Sequence, residues 1–211
     1  MTPKKIRALF ERLAKANPNP VTELAYHTPY QLLAAVILSA QATDKSVNLA
    51  TRALFEAAGT PQKMARLSEA ELIPYINRIG LYRAKAKNLI AMSRLLLERH
   101  GGEVPHDRAA LEALPGVGRK TANVVLNTAF GEPTVGVDTH VFRLANRSRL
   151  APGKNVREVE EKLLRVIPAE YLRHAHHWLI LHGRYVCKAL RPDCPRCLIN
   201  DLCEWPEKTA G

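Results

Sequence analysis

All four cysteines of the chain lie near its C-terminal end, in the spacing Cys187-x6-Cys194-x2-Cys197-x5-Cys203. Thiols grouped this closely favour one compact metal site, because disulfides are rare in intracellular proteins. Zinc modules usually join two Cys-x2-Cys pairs through a longer loop, whereas this stretch has only one such pair. The spacing therefore favours an iron–sulfur site only slightly and leaves zinc open.

A second candidate site is a glycine-containing turn, Leu114-Pro115-Gly116-Val117-Gly118, which joins two apolar segments of helical character. Glycines permit the positive φ angles of a tight turn and let a phosphate approach the backbone N–H groups. The start of the following helix adds the positive end of its dipole. The turn therefore predicts an anion-binding site, although an ordinary loop between two helices has the same spacing.

Lys120 follows this turn and falls in the first turn of the predicted second helix. The helix dipole and the neighbouring Arg119 both disfavour an ammonium charge there, so we expect a lowered pKa for Lys120. A partly neutral amine is a nucleophile. The alternative is a surface lysine whose ammonium reaches water, and sequence position alone does not separate the two.

Asp138, in the segment Val137-Asp138-Thr139-His140, precedes another predicted helix. Aspartate is a favoured N-cap residue, so a purely structural role is the first expectation. N–H groups at a helix start also hold a carboxylate ionised, where it stabilises positive charge that develops on a substrate. The two roles are compatible.

The charge balance points to a polyanionic partner. The chain has 31 Lys and Arg against 20 Asp and Glu, a net charge of +11 and a pI of about 9.8. Nucleic acid is the expected partner, and a merely well-solvated basic surface is the alternative. The apolar stretch Leu32–Leu38 is far shorter than the ~20 residues that span a bilayer, and the N-terminal residues lack a secretory pattern. We therefore expect a soluble cytoplasmic protein without membrane partners.

Helical periodicity runs along almost the whole chain, and no alternating pattern is long enough to indicate a strand. Several helix ends are marked by capping residues: Thr28-Pro29, Thr60-Pro61, Ser68 with Glu71, and Gly101-Gly102. The sequence therefore predicts an all-α protein of about ten short helices.

One predicted helix, from about Tyr82 to His100, carries a stripe of basic residues between apolar ones. The stripe consists of Arg83, Lys85, Lys87, Arg94 and Arg99. We expect these side chains to form a solvated face.

The segment LPGVGRKTANVVLNTAFGEPTVGVDTHVFRLANR resembles the helix-hairpin-helix and catalytic segment of the endonuclease III family of DNA glycosylases. The stretches LLAAVILSAQATDKSVN, IGLYRAKAKNL and HHWLILHGRYVC, together with the C-terminal cysteines, resemble the same family in the same order. The resemblance covers nearly the whole chain.

This resemblance implies a two-lobed all-α fold. A six-helix bundle is expected over residues 22–132, with the helix-hairpin-helix at about 107–129. The second lobe is expected from residues 1–21 and 133–211, with the iron–sulfur loop at 187–203. The family also implies a monomer.

The resemblance also implies roles for single residues. The nucleophilic lysine corresponds to Lys120 and the catalytic aspartate to Asp138. One 4Fe–4S cluster is expected on Cys187, Cys194, Cys197 and Cys203. The implied DNA-binding residues are the gap-filling Gln41, the wedge Leu81, and the hairpin residues Gly116, Val117, Gly118 and Arg119.

The implied activity is base excision repair. The family flips a damaged pyrimidine out of double-stranded DNA, removes it, and cleaves the 3′ side of the abasic site by β-elimination through a lysine Schiff base. Two alternatives remain at this point. One is the adenine-mismatch branch, which lacks the lysine and usually carries a further C-terminal domain. The other is a non-catalytic DNA-binding module held together by a metal.

Overall fold

The helices of the computed structural model, which describes residues 1–209, begin at the capping residues that the sequence marks. The hydroxyls of Thr28 and Thr60 accept hydrogen bonds from backbone N–H groups, and a proline follows each threonine at the first helical position. Proline suits this position because the N–H that it lacks would have no partner within the helix. Ser68 and Glu71 form the predicted capping box.

Residues 1–209 contain eleven α-helices, one short 3-10 helix and no strand, which confirms the all-α prediction. Residues 210 and 211 of the predicted second lobe lie outside the described part of the chain. No helix within the described residues has both the length and the apolar character needed to cross a membrane. The helices are α1 (Pro3–Ala16), α2 (Pro29–Ser39), α3 (Asp44–Ala58), α4 (Pro61–Arg66), α5 (Glu69–Ile76), α6 (Tyr82–His100), α7 (Arg108–Glu112), α8 (Arg119–Phe130), α9 (Thr139–Arg147), α10 (Val156–Val166) and α11 (Leu172–Tyr185).

One compact unit comprises Thr22–Phe130 and contains α2 to α8. The apolar helix α2 is its centre: every residue from Tyr30 to Leu38 is buried. Helices α3, α6 and α8 pack against α2. Burial of so many apolar side chains is the main favourable term in the folding of this unit.

The second compact unit comprises Met1–Val21 and the chain from Gly131 onward. Phe10 is fully buried and packs against the rings of Tyr171 and Trp178. Helices α9 and α11 pack closely at Gly183, where a Cβ atom would lie 2.7 Å from the carbonyl oxygen of His140. Only glycine fits there without a shift of the main chain. This contact fixes α9 on α11.

Candidate functional site

The predicted anion-binding turn connects α7 to α8 and is fixed by its own main chain. Val117 N donates to Leu114 O at 3.1 Å, and both side chains are buried. Gly116 has a φ of 79°, and a Cβ there would lie 3.0 Å from the side chain of Asn88 on α6. Glycine is therefore needed at position 116 both for its backbone conformation and for space.

Gly118 has a different role from Gly116. It is exposed, and no heavy atom among the described residues lies within 4 Å of the place where its Cβ would be. Open space therefore adjoins the main chain just before α8 begins at Arg119. This space lets a phosphate approach the backbone N–H groups. The side chain of Val117 is buried, so only the main chain of that residue is available to a phosphate.

Lys120 is the second residue of α8, which confirms its predicted place in the first turn of a helix. Residues Ala122 to Asn127 are all buried, so the middle of α8 is enclosed on every side. Lys120 itself is half-buried, at the end of the helix next to the exposed Gly118. The chain thus brings Lys120 within two residues of the exposed main chain at Gly118.

Gln41 and Leu81, 40 residues apart in the sequence, lie on neighbouring turns. A Cβ on Gly80 would be 3.5 Å from the carbonyl oxygen of Gln41. Both side chains are exposed, and both residues have a positive φ, 53° at Gln41 and 60° at Leu81. A non-glycine residue in this region is uncommon and strained, and such strain is concentrated at functional sites.

Lys85 departs from the solvated stripe predicted for α6. Its residue surface is only 4% exposed, and its Nζ donates to the carbonyl oxygen of Ala40 at 2.6 Å. Arg83 and Lys87 on the same helix are exposed, as predicted. The prediction was wrong for Lys85 because helical periodicity places a side chain on a face but does not show which carbonyl lies opposite it.

Asp138 is the N-cap of α9, as predicted. Its Oδ1 accepts hydrogen bonds from His140 N and Val141 N, both at 2.9 Å. Both bonds go to one oxygen, so Oδ2 takes no part in the cap. The half-buried carboxylate is thereby fixed in orientation by the helix that it caps.

The four cysteines line one small cavity beside the loop formed by residues 187–203, called here the cysteine loop. The thiols form no disulfide. Short main-chain bonds hold the loop, including Cys203 N to Ile199 O at 2.8 Å. Within residues 1–209, no three His, Cys, Asp or Glu side chains converge as ligands of a single metal ion. Four thiols around one cavity are a donor set that fits a thiolate-bound metal group.

The surroundings of the cavity affect the charge of the thiols. Burial raises the pKa of the Cys197 thiol to about 11 and also raises the pKa of Cys203. Thiolate ligands therefore need the positive charge of bound metal to offset this cost. His182 is buried, with its Nε2 3.3 Å from Cys197 Sγ, and burial lowers its pKa to about 4. A neutral imidazole therefore borders the cavity.

Two arginines of α9 hold the start of the cysteine loop. Arg143 Nε donates to Cys187 O at 2.9 Å, and its Nη2 donates to Gly183 O at 2.6 Å. Arg147 donates to the carbonyl oxygens of Lys188 and Ala189, at 2.5 and 2.8 Å. Nothing in the sequence marks these two arginines as partners of distant carbonyl groups. The same helix that Asp138 caps thus carries the loop.

The family model described as HhH-GPD superfamily base excision DNA repair protein matches residues 34–169. Endonuclease III of Escherichia coli (strain K12) is 60% identical over 208 residues, which are 99% of each chain. Endonuclease III of Haemophilus influenzae is 60% identical over 205 residues, 97% of each chain.

A solved structure of a trapped endonuclease III–DNA covalent intermediate superposes with a TM-score of 0.91 at 45% sequence identity. The match covers 97% of this chain and 96% of that one. The chain therefore belongs to the endonuclease III family, within the HhH-GPD superfamily of base excision DNA repair proteins.

Proposed function

We propose that this DNA glycosylase and abasic-site lyase removes oxidised or otherwise damaged pyrimidines from double-stranded DNA and then cleaves the backbone 3′ to the abasic site. The observation that carries the proposal is the position of Lys120: this half-buried residue is the second of α8, and only Arg119 separates it from the exposed Gly118. The similar protein trapped as a covalent DNA intermediate supports a covalent step.

In the first step, the Nζ lone pair of Lys120 attacks the sugar C1′ of an extruded nucleotide. The C1′–N bond breaks, and the departing base takes its electron pair and a proton. The ammonium loses its proton before the attack, because only the neutral amine has the lone pair that acts as a nucleophile.

In the second step, opening of the sugar ring leaves a Schiff base between Nζ and C1′. The imine acidifies the C2′ proton, and its loss expels the 3′ phosphate as the C3′–O bond breaks. Hydrolysis then releases Lys120 for another cycle. One amine thus serves both base removal and strand cleavage.

Asp138 is proposed to assist this proton movement and to stabilise the positive charge that develops on the sugar. Support comes from its fixed orientation, since Oδ1 is bonded to His140 N and Val141 N while Oδ2 is outside the cap. A preorganised carboxylate stabilises developing charge without having to reorient during the reaction.

DNA is proposed to bind through the hairpin and the two neighbouring turns. The main chain at Gly116, Val117, Gly118 and Arg119 takes a backbone phosphate. Leu81 acts as a wedge in the base stack, and Gln41 fills the gap left by the extruded base. Extrusion of a nucleotide costs a few kcal/mol, and the contacts of the inserted side chains with the base stack offset this free energy.

The cysteine loop is proposed to hold one 4Fe–4S cluster through Cys187, Cys194, Cys197 and Cys203. The four unbridged thiols on a single cavity support this proposal, as does family membership. When bound, the cluster supplies a four-point cross-link that fixes the loop. Lys188 and Arg191, both exposed on this loop, are proposed to contact DNA phosphates.

The two compact units are proposed to correspond to two functional domains. Residues 22–132 form the hairpin-bearing helix bundle, and residues 1–21 with 133–211 form the lobe of the cluster. The protein is proposed to act as a monomer on double-stranded DNA.

The decisive experiment uses a duplex with a single thymine glycol or abasic site, incubated with cluster-loaded protein with and without borohydride. We expect strand cleavage 3′ to the lesion and, with borohydride, a covalent protein–DNA adduct. Lys120→Ala should form no adduct, whereas the control Lys154→Ala, at an exposed lysine, should form it normally. Uncleaved DNA with the unaltered protein, or an undiminished adduct with Lys120→Ala, would contradict the proposal.

A further inference from the structure

The turns that carry Gln41 and Leu81 are strained in the same way. Ala42 N donates to Ser39 O at 3.1 Å, which closes a turn around Ala40 and Gln41. Ala40 has φ −56° and ψ 118°, and Gln41 has a positive φ, as in a type II turn, whose third position usually takes glycine or asparagine. Leu81 has φ 60° and ψ 26° and no side-chain cap of its own. Neither conformation is one that its residue type favours.

One residue joins these two turns. Lys85 belongs to the first turns of α6, and its N–H donates to Leu81 O at 3.0 Å. Its Nζ donates to Ala40 O at 2.6 Å, next to Gln41. Lys85 therefore bonds to the main chain of the Leu81 turn through its backbone N–H and to the main chain of the Gln41 turn through its side-chain Nζ.

The ammonium of Lys85 also meets a favourable field. Ala40 is the C-cap of α2, where unpaired carbonyls carry the negative end of the helix dipole, and the last turn of α2 has no basic residue of its own. Burial lowers the pKa of Lys85, because the ammonium has lost part of its hydration. A buried charge of this kind is retained only where its bonds are strong, and hydrogen bonds to charged groups are among the stronger ones.

We propose that Lys85 is a positioning residue that sets the spacing between Gln41 and Leu81, so that both side chains enter the DNA duplex together. The inference rests on the function proposed above, in which these two residues fill and wedge the base stack. A wedge and a gap-filler act on one site only if their spacing matches the stack. If this spacing is already fixed in the free protein, less conformational entropy is lost when DNA binds.

The test compares one lesion in two contexts. The cleavage rate is measured for an oligonucleotide with a single abasic site, alone and annealed to its complement. A single strand has no stack to wedge and no gap to fill. The ratio of duplex to single-strand rates thus reports the action of Gln41 and Leu81, and it is unaffected by any inactive fraction in a preparation.

We expect Lys85→Met to lower this ratio about tenfold, the effect of losing one hydrogen bond to a charged group. The control Lys87→Met, at an exposed lysine of the same helix, should leave the ratio within about twofold. Lys85→Arg keeps a charged donor and should restore part of the ratio. Lys85→Met should lower the ratio by a smaller factor when Leu81 is already replaced by alanine than when it is the only substitution.

The outcomes separate the two proposals. If the unaltered chain cleaves neither substrate, the proposed function fails. If it cleaves both and Lys85→Met leaves the ratio unchanged, only the positioning role fails. The positioning role is also overturned if Lys85→Arg gives a ratio as low as Lys85→Met, or if the effects of Lys85→Met and Leu81→Ala simply multiply, because a general loss of structure would give either result.

Discussion

The guanidinium of Arg147 lies 4.6 Å from the centroid of the Trp205 indole ring, and the same side chain donates hydrogen bonds to the carbonyls of Lys188 and Ala189. Trp205 comes two residues after the last cysteine and Lys188 one residue after the first, so one side chain of α9 contacts the chain at both ends of the cysteine loop. A cation–π contact and two charged hydrogen bonds act together in this arrangement.

Arg147→Ala is therefore expected to loosen the loop. The free energy of unfolding should fall by about 2 kcal/mol, and visible absorbance of the metal-loaded protein should decay faster in the presence of a chelator. The control is Arg157→Ala, which removes an exposed ion pair with Glu161 and should change neither quantity appreciably. Equal decay in the two variants would show that Arg147 does not hold the loop.

Substitutions of Asp138 should separate its two roles. Asparagine is as good an N-cap as aspartate, so Asp138→Asn should keep the thermal stability of the protein and lose the charge. Asp138→Ala should lose the cap as well, at a cost of about 1 kcal/mol. We expect slow base release in both variants, measured by single-turnover kinetics, with DNA affinity largely unchanged. Normal release by Asp138→Asn would remove the carboxylate from the proposed mechanism.

Alanine substitutions at two glycines should have different effects, one on stability and the other on DNA binding. Gly183→Ala places a Cβ 2.7 Å from His140 O, so α9 and α11 must move apart, and stability should fall by about 1–3 kcal/mol. Gly118→Ala meets open space and should fold with nearly normal stability, yet bind duplex DNA more weakly because the methyl group occupies the approach to the main chain. Chemical denaturation and a binding titration check both expectations. A stable Gly183→Ala variant would contradict the packing of α9 on α11.

The stability of the protein should fall with acid through buried His177. Its pKa is lowered from 6.5 to about 4, first by burial and then by the charge of His174. Below pH 6.5 the unfolded chain binds a proton at this residue that the folded chain does not bind until about pH 4. Stability is therefore lost as the pH falls through this window, by up to about 3 kcal/mol.

The measurement is denaturation of the metal-loaded protein at pH 7.5 and pH 4.5. His177→Gln should show a smaller loss of stability between these two values than the unaltered chain. His27→Gln, which replaces an exposed imidazole, should keep the original pH dependence. Identical dependence in all three proteins would show that His177 protonates equally in the folded and unfolded states.

Much of the secondary structure follows from the sequence because its causes are local. A cap such as Ser68 with Glu71, or the Thr-Pro pair at residues 28 and 29, acts within three or four residues, so its pattern is visible along the chain. The N-cap position of Asp138 and the place of Lys120 at the start of α8 follow in the same way.

Only the tertiary structure decided which polar side chains act on distant main chain. Lys85 bonds to a carbonyl 45 residues away and Arg143 to one 44 residues away. A carbonyl group is the same at every residue, so no residue type marks it as the partner of a given lysine or arginine. The sequence by itself thus determined the helices, their caps and the types of reactive groups, whereas packing decided which carbonyls those long cationic side chains reach.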